Sequence, residues 1–285
     1  MAIDGTTPYG PFTLRWREER GDEHRPRILL LHGIYASASR YEWDPLLAHL
    51  AGRYRVRAAD LLGFGASDHP DLEHTPDVVL GAVRALIADA ADGARPPVVV
   101  ASSLTGAYAV RAVARGAAAD RLALITPTGL GRSQVHPAGA GGRAFYSVAR
   151  HTLLGDVLSR GLTSRPSIRW FLRQQAYADP AKVTDEVVAT YHDLGKVPNA
   201  KQAQLAFVAG LLALPLEPGE VAATRPFVVW ARGQAFSRDR DAQAWRDAGA
   251  VVVAVDAGLP QSEAPGELAA LLASHLEGDR TDAPG

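Results

Sequence analysis

Apolar residues along this chain form two kinds of stretch that alternate. Residues 27–31, 54–59, 98–101, 122–126, 227–230 and 251–255 are short, largely unbroken apolar runs, the pattern of strands buried on both faces. Between them apolar residues recur at helical spacing. Trp43, Leu46, Leu47 and Leu50 mark a helix over 40–50, and Val79, Val83, Leu86 and Ile87 mark another, with Thr75 as N-cap and Pro76 in its first turn. Further helices are expected over 242–248 and 266–276. Residues 12–17 alternate apolar and polar positions, as an early antiparallel strand does. Strand and helix in alternation predict a doubly wound, mostly parallel sheet.

The rhythm stops at residue 132 and resumes at 217. The interval reads as helices alone: one over 145–158, one over 168–177, one opening at Asp179 or at Thr184 with acidic residues in its first turn, and one over 201–214. The expected division is therefore a core of residues 1–131 and 217–285, interrupted by a helical insertion, 132–216. The polar tail, 277–285, is expected to fray.

Composition narrows the function. The chain has 285 residues, 47% hydrophobic and 21% charged, with a formal net charge of −1. That balance argues for a globular protein and against nucleic acid as a partner. Without cysteine there is no disulfide, thiolate nucleophile or cysteine-held metal. The opening residues carry no basic segment followed by an apolar one, and no apolar run is long enough to span a bilayer, so a cytoplasmic protein without membrane partners is expected. Arginine well in excess of lysine, with abundant alanine and glycine, points to a GC-rich bacterial source.

The chemistry centres on residues 98–106, VVVASSLTG. Three β-branched residues lead through small ones to Ser103, and a helix is expected from near Gly106. This segment resembles the strand–turn–helix nucleophile elbow of the α/β-hydrolase family, usually spelled G-x-S-x-G and here Ala101-Ser102-Ser103-Leu104-Thr105. Leu30-Leu31-His32-Gly33 resembles the family's HG loop. Asp60-x-x-Gly63-x-Gly65-x-Ser67-Asp68 resembles the D-x-x-G-x-G-x-S segment of lid-bearing members, and Glu263-Ala264-Pro265 resembles the E-x-P that follows the catalytic histidine. The resemblance covers nearly the whole chain. It implies an eight-stranded, mostly parallel sheet with helices on both faces and residues 132–216 as a lid. It also implies a backbone oxyanion hole from Ile34 and Leu104, and no cofactor or metal.

The chain departs from the family at the triad. Where the family carries W-G-x-x-D, this sequence reads Trp230-Ala231-Arg232-Gly233-Gln234, and Leu259 follows Gly258 where the histidine is expected. Ser103 is then left without base or orienting acid, a loss that costs about 10⁶ in turnover in a serine protease, whereas oxyanion hole and binding still supply roughly 10³–10⁴ over water. Ser103, Tyr35, Gln234 and Gln261 are the candidate catalytic residues. His32, Ser102, Tyr146, Trp170 and Leu259 are the candidate pocket residues, with a structural role for His32 and a turn role for Ser102 as the competing readings. Asp60 and Asp68 are expected to hold loops, and Arg232 to pair with Asp256. His136, His151 and His192 are candidates for a substitute base, each with surface placement as the alternative. The expected function is non-hydrolytic work on a bulky, apolar, carbonyl-bearing small molecule: a Michael- or aldol-type cyclisation, or lyase or isomerase chemistry, by a monomer or homodimer in specialised metabolism. The alternatives are a serine hydrolase with a relocated base and a ligand-binding protein without catalysis.

Overall fold

The structure is a computed structural model that describes residues 2–130, 137–234 and 238–277. In chain order its elements are β1 (Ala2–Tyr9), β2 (Phe12–Glu19), β3 (Ile28–Leu31), a 3-10 turn (Arg40–Trp43) running into α1 (Asp44–Leu50), β4 (Val56–Ala59), α2 (Pro76–Asp89), β5 (Val98–Ser102), α3 (Ser103–Ala114) and β6 (Arg121–Ile125). Helices follow: α4 (Ala140–Ala149), α5 (Leu153–Leu162), α6 (Arg165–Phe171), α7 (Asp185–Leu194), α8 (Lys201–Val208) and α9 (Pro218–Thr224). The chain then returns to β7 (Phe227–Ala231), α10 (Asp239–Asp247), β8 (Val251–Val255), α11 (Pro260–Glu263) and α12 (Pro265–Glu277).

The eight strands form one sheet in the order β1-β2-β4-β3-β5-β6-β7-β8. It is parallel from β4 to β8, with β1–β2 and β2–β4 antiparallel. The apolar strand runs alternate between two cores, because successive side chains point to opposite faces. Leu29, Leu31, Val99, Ala101, Leu124 and Trp230 pack with α2 and α3 on one face. Ile28, Leu30, Val98, Val100, Ile125 and Val229 pack with α1 and α12 on the other.

The structure adds β1 to the expected strands. Its sequence, AIDGTTPY, carries no apolar alternation, and it is held by pairing with β2 across a two-residue turn at Gly10 and Pro11. Gly10 has φ 58 there, a conformation open to glycine. Gly5 leaves room for the ring of Trp16, which a Cβ would strike. The helix expected over 145–158 is two helices, α4 and α5, broken between residues 149 and 153. The Ala149 carbonyl at the break takes hydrogen bonds from the N–H and hydroxyl of Thr152, and Gly155 packs too closely on it for a side chain. The stretch 168–177 divides into α6 and a π-turn, Leu172–Ala176. Thr184, not Asp179, caps α7; Asp179 caps a separate 3-10 turn, Pro180–Lys182. The last of these helices, α8, ends at Val208, not 214, and α9 was not foreseen. Among the described residues, 137–216 holds no strand, and no helix is long and apolar enough to cross a membrane. The tail beyond 277 lies outside the described residues.

Candidate functional site

β5 ends at Ser102, and α3 begins at Ser103 without an intervening loop. So abrupt a reversal puts Ser103 at φ 51, left-handed for a residue with a side chain, at a cost of roughly 1–2 kcal/mol. Crowding at the turn is severe: a Cβ on Gly33 would lie 3.2 Å from that of Ser103. Thr105, two residues on, stands where the family carries glycine. It is fully buried, and its hydroxyl donates a 2.6 Å hydrogen bond to the carbonyl of His32. The larger side chain thus ties the elbow to the loop after β3.

That loop is fixed from both sides. The N–H of Leu61 donates to His32 Nε2 at 3.0 Å, so Nδ1 carries the hydrogen and donates to the Gly33 carbonyl at 2.6 Å. Burial, the largest influence, lowers the pKa of His32. With both ring nitrogens occupied and no place on the cavity wall, His32 is a structural residue and not a pocket residue. Asp60 and Asp68 likewise hold loops. Asp60 accepts from the Arg40 and Ala66 N–H groups and pairs with the Arg40 guanidinium, while Asp68 accepts from the Thr13 N–H.

Ser103 borders a cavity of about 530 Å³. Its floor is the carboxyl end of the sheet, where open α/β sheets take ligands: Ile34, Tyr35, Ser102, Ser103, Leu104 and Thr126. Its roof is Phe171, Leu172, Tyr191, Phe207 and Val208 of the helical segment, and Gln234, Leu259 and Gln261 close one side. The structure therefore gathers Ser103, Tyr35, Gln234, Gln261, Ile34, Leu104, Ser102 and Leu259 around one space. The backbone N–H of Leu104 lies in the first turn of α3, where no intrahelical acceptor exists.

Besides His32, two more expected pocket residues are elsewhere. Tyr146 is buried in the core, its hydroxyl accepting from the N–H of His74. Trp170 is 60% exposed and walls a smaller cleft of about 170 Å³, which shares Tyr35, Phe171, Leu172, Tyr191, Phe207 and Val208 with the main cavity. Both aromatics sit at helical spacings, which place a residue on a face without saying what that face meets. Of the histidines named as substitute bases, His192 donates from Nδ1 to the Thr163 carbonyl and His151 is exposed. His136 lies outside the described residues. Arg232 and Asp256 form an exposed ion pair at 3.7 Å.

Sequence reading missed Glu42. It sits on the 3-10 turn before α1, is 2% exposed, and lines the cavity. Its Oε2 accepts from the Gly33 N–H at 3.2 Å and the Tyr35 hydroxyl at 3.1 Å, and its Oε1 accepts from the Gln261 amide at 3.3 Å. The Ser102 hydroxyl donates to it as well. Burial dominates its electrostatics and raises its pKa to about 7, against the pull of these four donors. Burial also raises the pKa of Tyr35 and Tyr191, whose hydroxyls are 3.4 Å apart. The signal was spacing: Glu42 lies four residues before Leu46 and eight before Leu50, a carboxylate on an apolar stripe. Among the described lining residues, Glu42 is the only charged side chain, and histidine is absent.

Glu263, of the E-x-P segment, is not among the residues that line the cavity. Its carboxylate accepts from the N–H groups of Gly258, Leu259, Ala178 and Asp179, clasping the loop after β8 to the helical segment.

The comparisons agree with this architecture. A serine hydrolase involved in carbazole degradation superposes with a TM-score of 0.77 at 18% identity, covering 97% of this chain and 99% of its own. A serine hydrolase from Cycloclasticus zankles, a bacterium that degrades polyaromatic hydrocarbons, gives 0.78 at 20%, covering 99% and 100%. The 2-hydroxy-6-oxo-6-phenylhexa-2,4-dienoate hydrolase of a Rhodococcus strain gives 0.72 at 18%, covering 96% and 98%. At these identities the likeness is one of fold. One curated relative, 2-hydroxy-6-oxo-6-(2'-aminophenyl)hexa-2,4-dienoic acid hydrolase of Metapseudomonas resinovorans, is 45% identical over 51 residues, a match that spans 18% of this chain and 18% of the relative. The family model described as the alpha/beta hydrolase family matches residues 28–271. With the strained serine between β5 and α3 and the sheet order around it, that match shows that the chain belongs to the alpha/beta hydrolase family.

Proposed function

We propose that the protein is an enzyme that acts on a bulky, largely apolar, carbonyl-bearing small molecule without hydrolysing it. The observation that carries this reading is the cavity wall: Ser103 stands at a strained elbow with Gln234, Leu259 and Gln261 on the side where a histidine and an acid would stand. A serine hydroxyl without a base is a weak nucleophile. Backbone N–H donors do not depend on those side chains, so Ile34 and Leu104 serve as an oxyanion hole that holds a polarised carbonyl or an enolate. The helical segment acts as a lid whose aromatic residues press on an apolar ligand, and positioning of two reacting carbons within one ligand supplies much of the acceleration. C–C bond formation of the Michael or aldol type, or a lyase or isomerase reaction, fits such a site.

The relatives' names support the ligand class: two are hydrolases of oxo-dienoates that carry a phenyl or aminophenyl group. They also supply the competing reading, a serine hydrolase with a displaced base. Intact-mass analysis after incubation with a fluorophosphonate separates the two. No rapid labelling of the wild type is expected. Stoichiometric labelling of the wild type, abolished in Ser103→Ala, would overturn the non-hydrolytic reading.

A further inference from the structure

We propose that Glu42 is the proton-transfer group of this cavity, taking a proton from the carbon beside a ligand carbonyl and returning it within the same ligand, with Tyr35 as its positioning residue. The inference rests on the non-hydrolytic carbonyl reading above.

Glu42 is buried, borders the ligand space, and is held by donors on three separate elements. These are the loop after β3 (Gly33, Tyr35), the end of β5 (Ser102) and α11 (Gln261). Such a carboxylate cannot swing away to water, and its position relative to the ligand is set before the ligand arrives. The titratable groups around it are the phenols of Tyr35, Tyr191 and Tyr177. Among the described residues no cation pairs with it, so nothing traps it as an inert ion pair. Gln261 lines the same wall fully buried. Its Oε1 has no partner among the described residues, which suits a hydroxyl donor on the ligand.

The step balances within one molecule. The C–H bond breaks, its proton passes to Glu42, and its electron pair moves into the carbonyl to form an enolate, whose oxygen accepts from the Ile34 and Leu104 N–H groups. The enolate carbon then bonds to an acceptor carbon of the same ligand, or is reprotonated at a new position. Glu42 returns the proton, and no water or co-reactant is consumed. A carboxyl poised near neutrality performs both halves, as general base and then as general acid.

The probe is 2-tetralone, a bulky enolisable ketone, in D₂O, with loss of its α-proton signal followed by NMR. Wild type is expected to exchange these protons faster than buffer, with a rate that rises with pH, is half-maximal near pH 7 and reaches its plateau above that. Glu42→Gln is expected to lose about 100-fold or more of that acceleration, and Glu42→Asp to recover part of it. Tyr35→Phe removes a hydrogen bond that favours the charged carboxylate and is expected to move the profile to higher pH, which a merely structural Tyr35 would not do. Full exchange in Glu42→Gln, or an unmoved profile in Tyr35→Phe, overturns the proposal. If Glu42→Gln does not fold, the Tyr35→Phe profile decides. Calorimetry with 2-tetralone and with 2-naphthol, a planar mimic of its enol, separates the two levels. Binding without exchange overturns the role of Glu42 alone, and no binding of either overturns the ligand class and the Glu42 role together.

Discussion

Replacing Glu42 with glutamine changes how the stability of this protein depends on pH, in a direction that burial dictates. In the folded chain the Glu42 carboxyl titrates near 7, against 4.5 for a free glutamate. Between those values the native state holds the proton and the unfolded state does not, so stability falls as pH rises through the window. At 1.36 kcal/mol per unit the loss is about 3 kcal/mol. His74 acts in the opposite sense. Burial lowers its pKa from 6.5 to about 4, so the unfolded state binds the extra proton and stability rises with pH across that window, also by about 3 kcal/mol. In the wild type the two slopes largely offset each other between about pH 4.5 and 6.5. Glu42→Gln removes one of them. Urea unfolding followed by tryptophan fluorescence, on both proteins at several pH values, gives the difference in stability. That difference is expected to move in favour of the variant by about 3 kcal/mol from pH ~4 to pH ~8. A constant packing effect of the substitution cancels in this double difference. A pH-independent difference would refute the argument, because it would mean that Glu42 titrates alike in the folded and unfolded chain.

Three more expectations follow from contacts at the same end of the sheet. Thr105→Val keeps the volume but leaves the His32 carbonyl unsatisfied, and should cost about 1–3 kcal/mol in urea unfolding, with Thr105→Ser retaining the hydrogen bond; a Val variant as stable as wild type would show that the contact is idle. Glu263→Gln turns one carboxylate oxygen into an NH₂, which faces the Asp179 N–H in the better amide orientation and three N–H groups in the other, and should destabilise by about 2–4 kcal/mol, read as a lowered melting temperature. His74→Asn should flatten the acid limb of the stability profile between about pH 6.5 and 4; an unchanged limb would assign acid sensitivity to other groups.

The sheet was legible because strands buried on both faces leave unbroken apolar runs, and the elbow because a strand ending in small residues before a serine has few other uses. β1 was not, since an edge strand meets water along most of its length and its partner supplies the order. Helix ends in the segment after β6 were misjudged where a carbonyl–side-chain contact at Ala149 and Thr152, invisible in periodicity, interrupts a sound apolar pattern. At the site, motif reading found Ser103, Gln234, Leu259 and Gln261, whose chain positions are tied to strand ends. It missed Glu42, because the turn bearing it packs against three other elements and only their convergence makes a surface-type residue into a buried one. It misplaced Tyr146 and Trp170 for the converse reason: an aromatic on a helix face looks the same whether that face meets a cavity, a core or water.

The clasp at Glu263 also bears on how a ligand gets in. One carboxylate holds four N–H groups from two segments, so parting the helical segment from the loop after β8 strips several charge-assisted hydrogen bonds together. The cleft bordered by Trp170 and Phe171 is walled mostly by apolar and aromatic side chains, and side chains change rotamer on a far shorter timescale than segments separate. Opening the cavity on that side asks for ring movements of residues such as Phe171, whereas opening it at the clasp breaks four hydrogen bonds together.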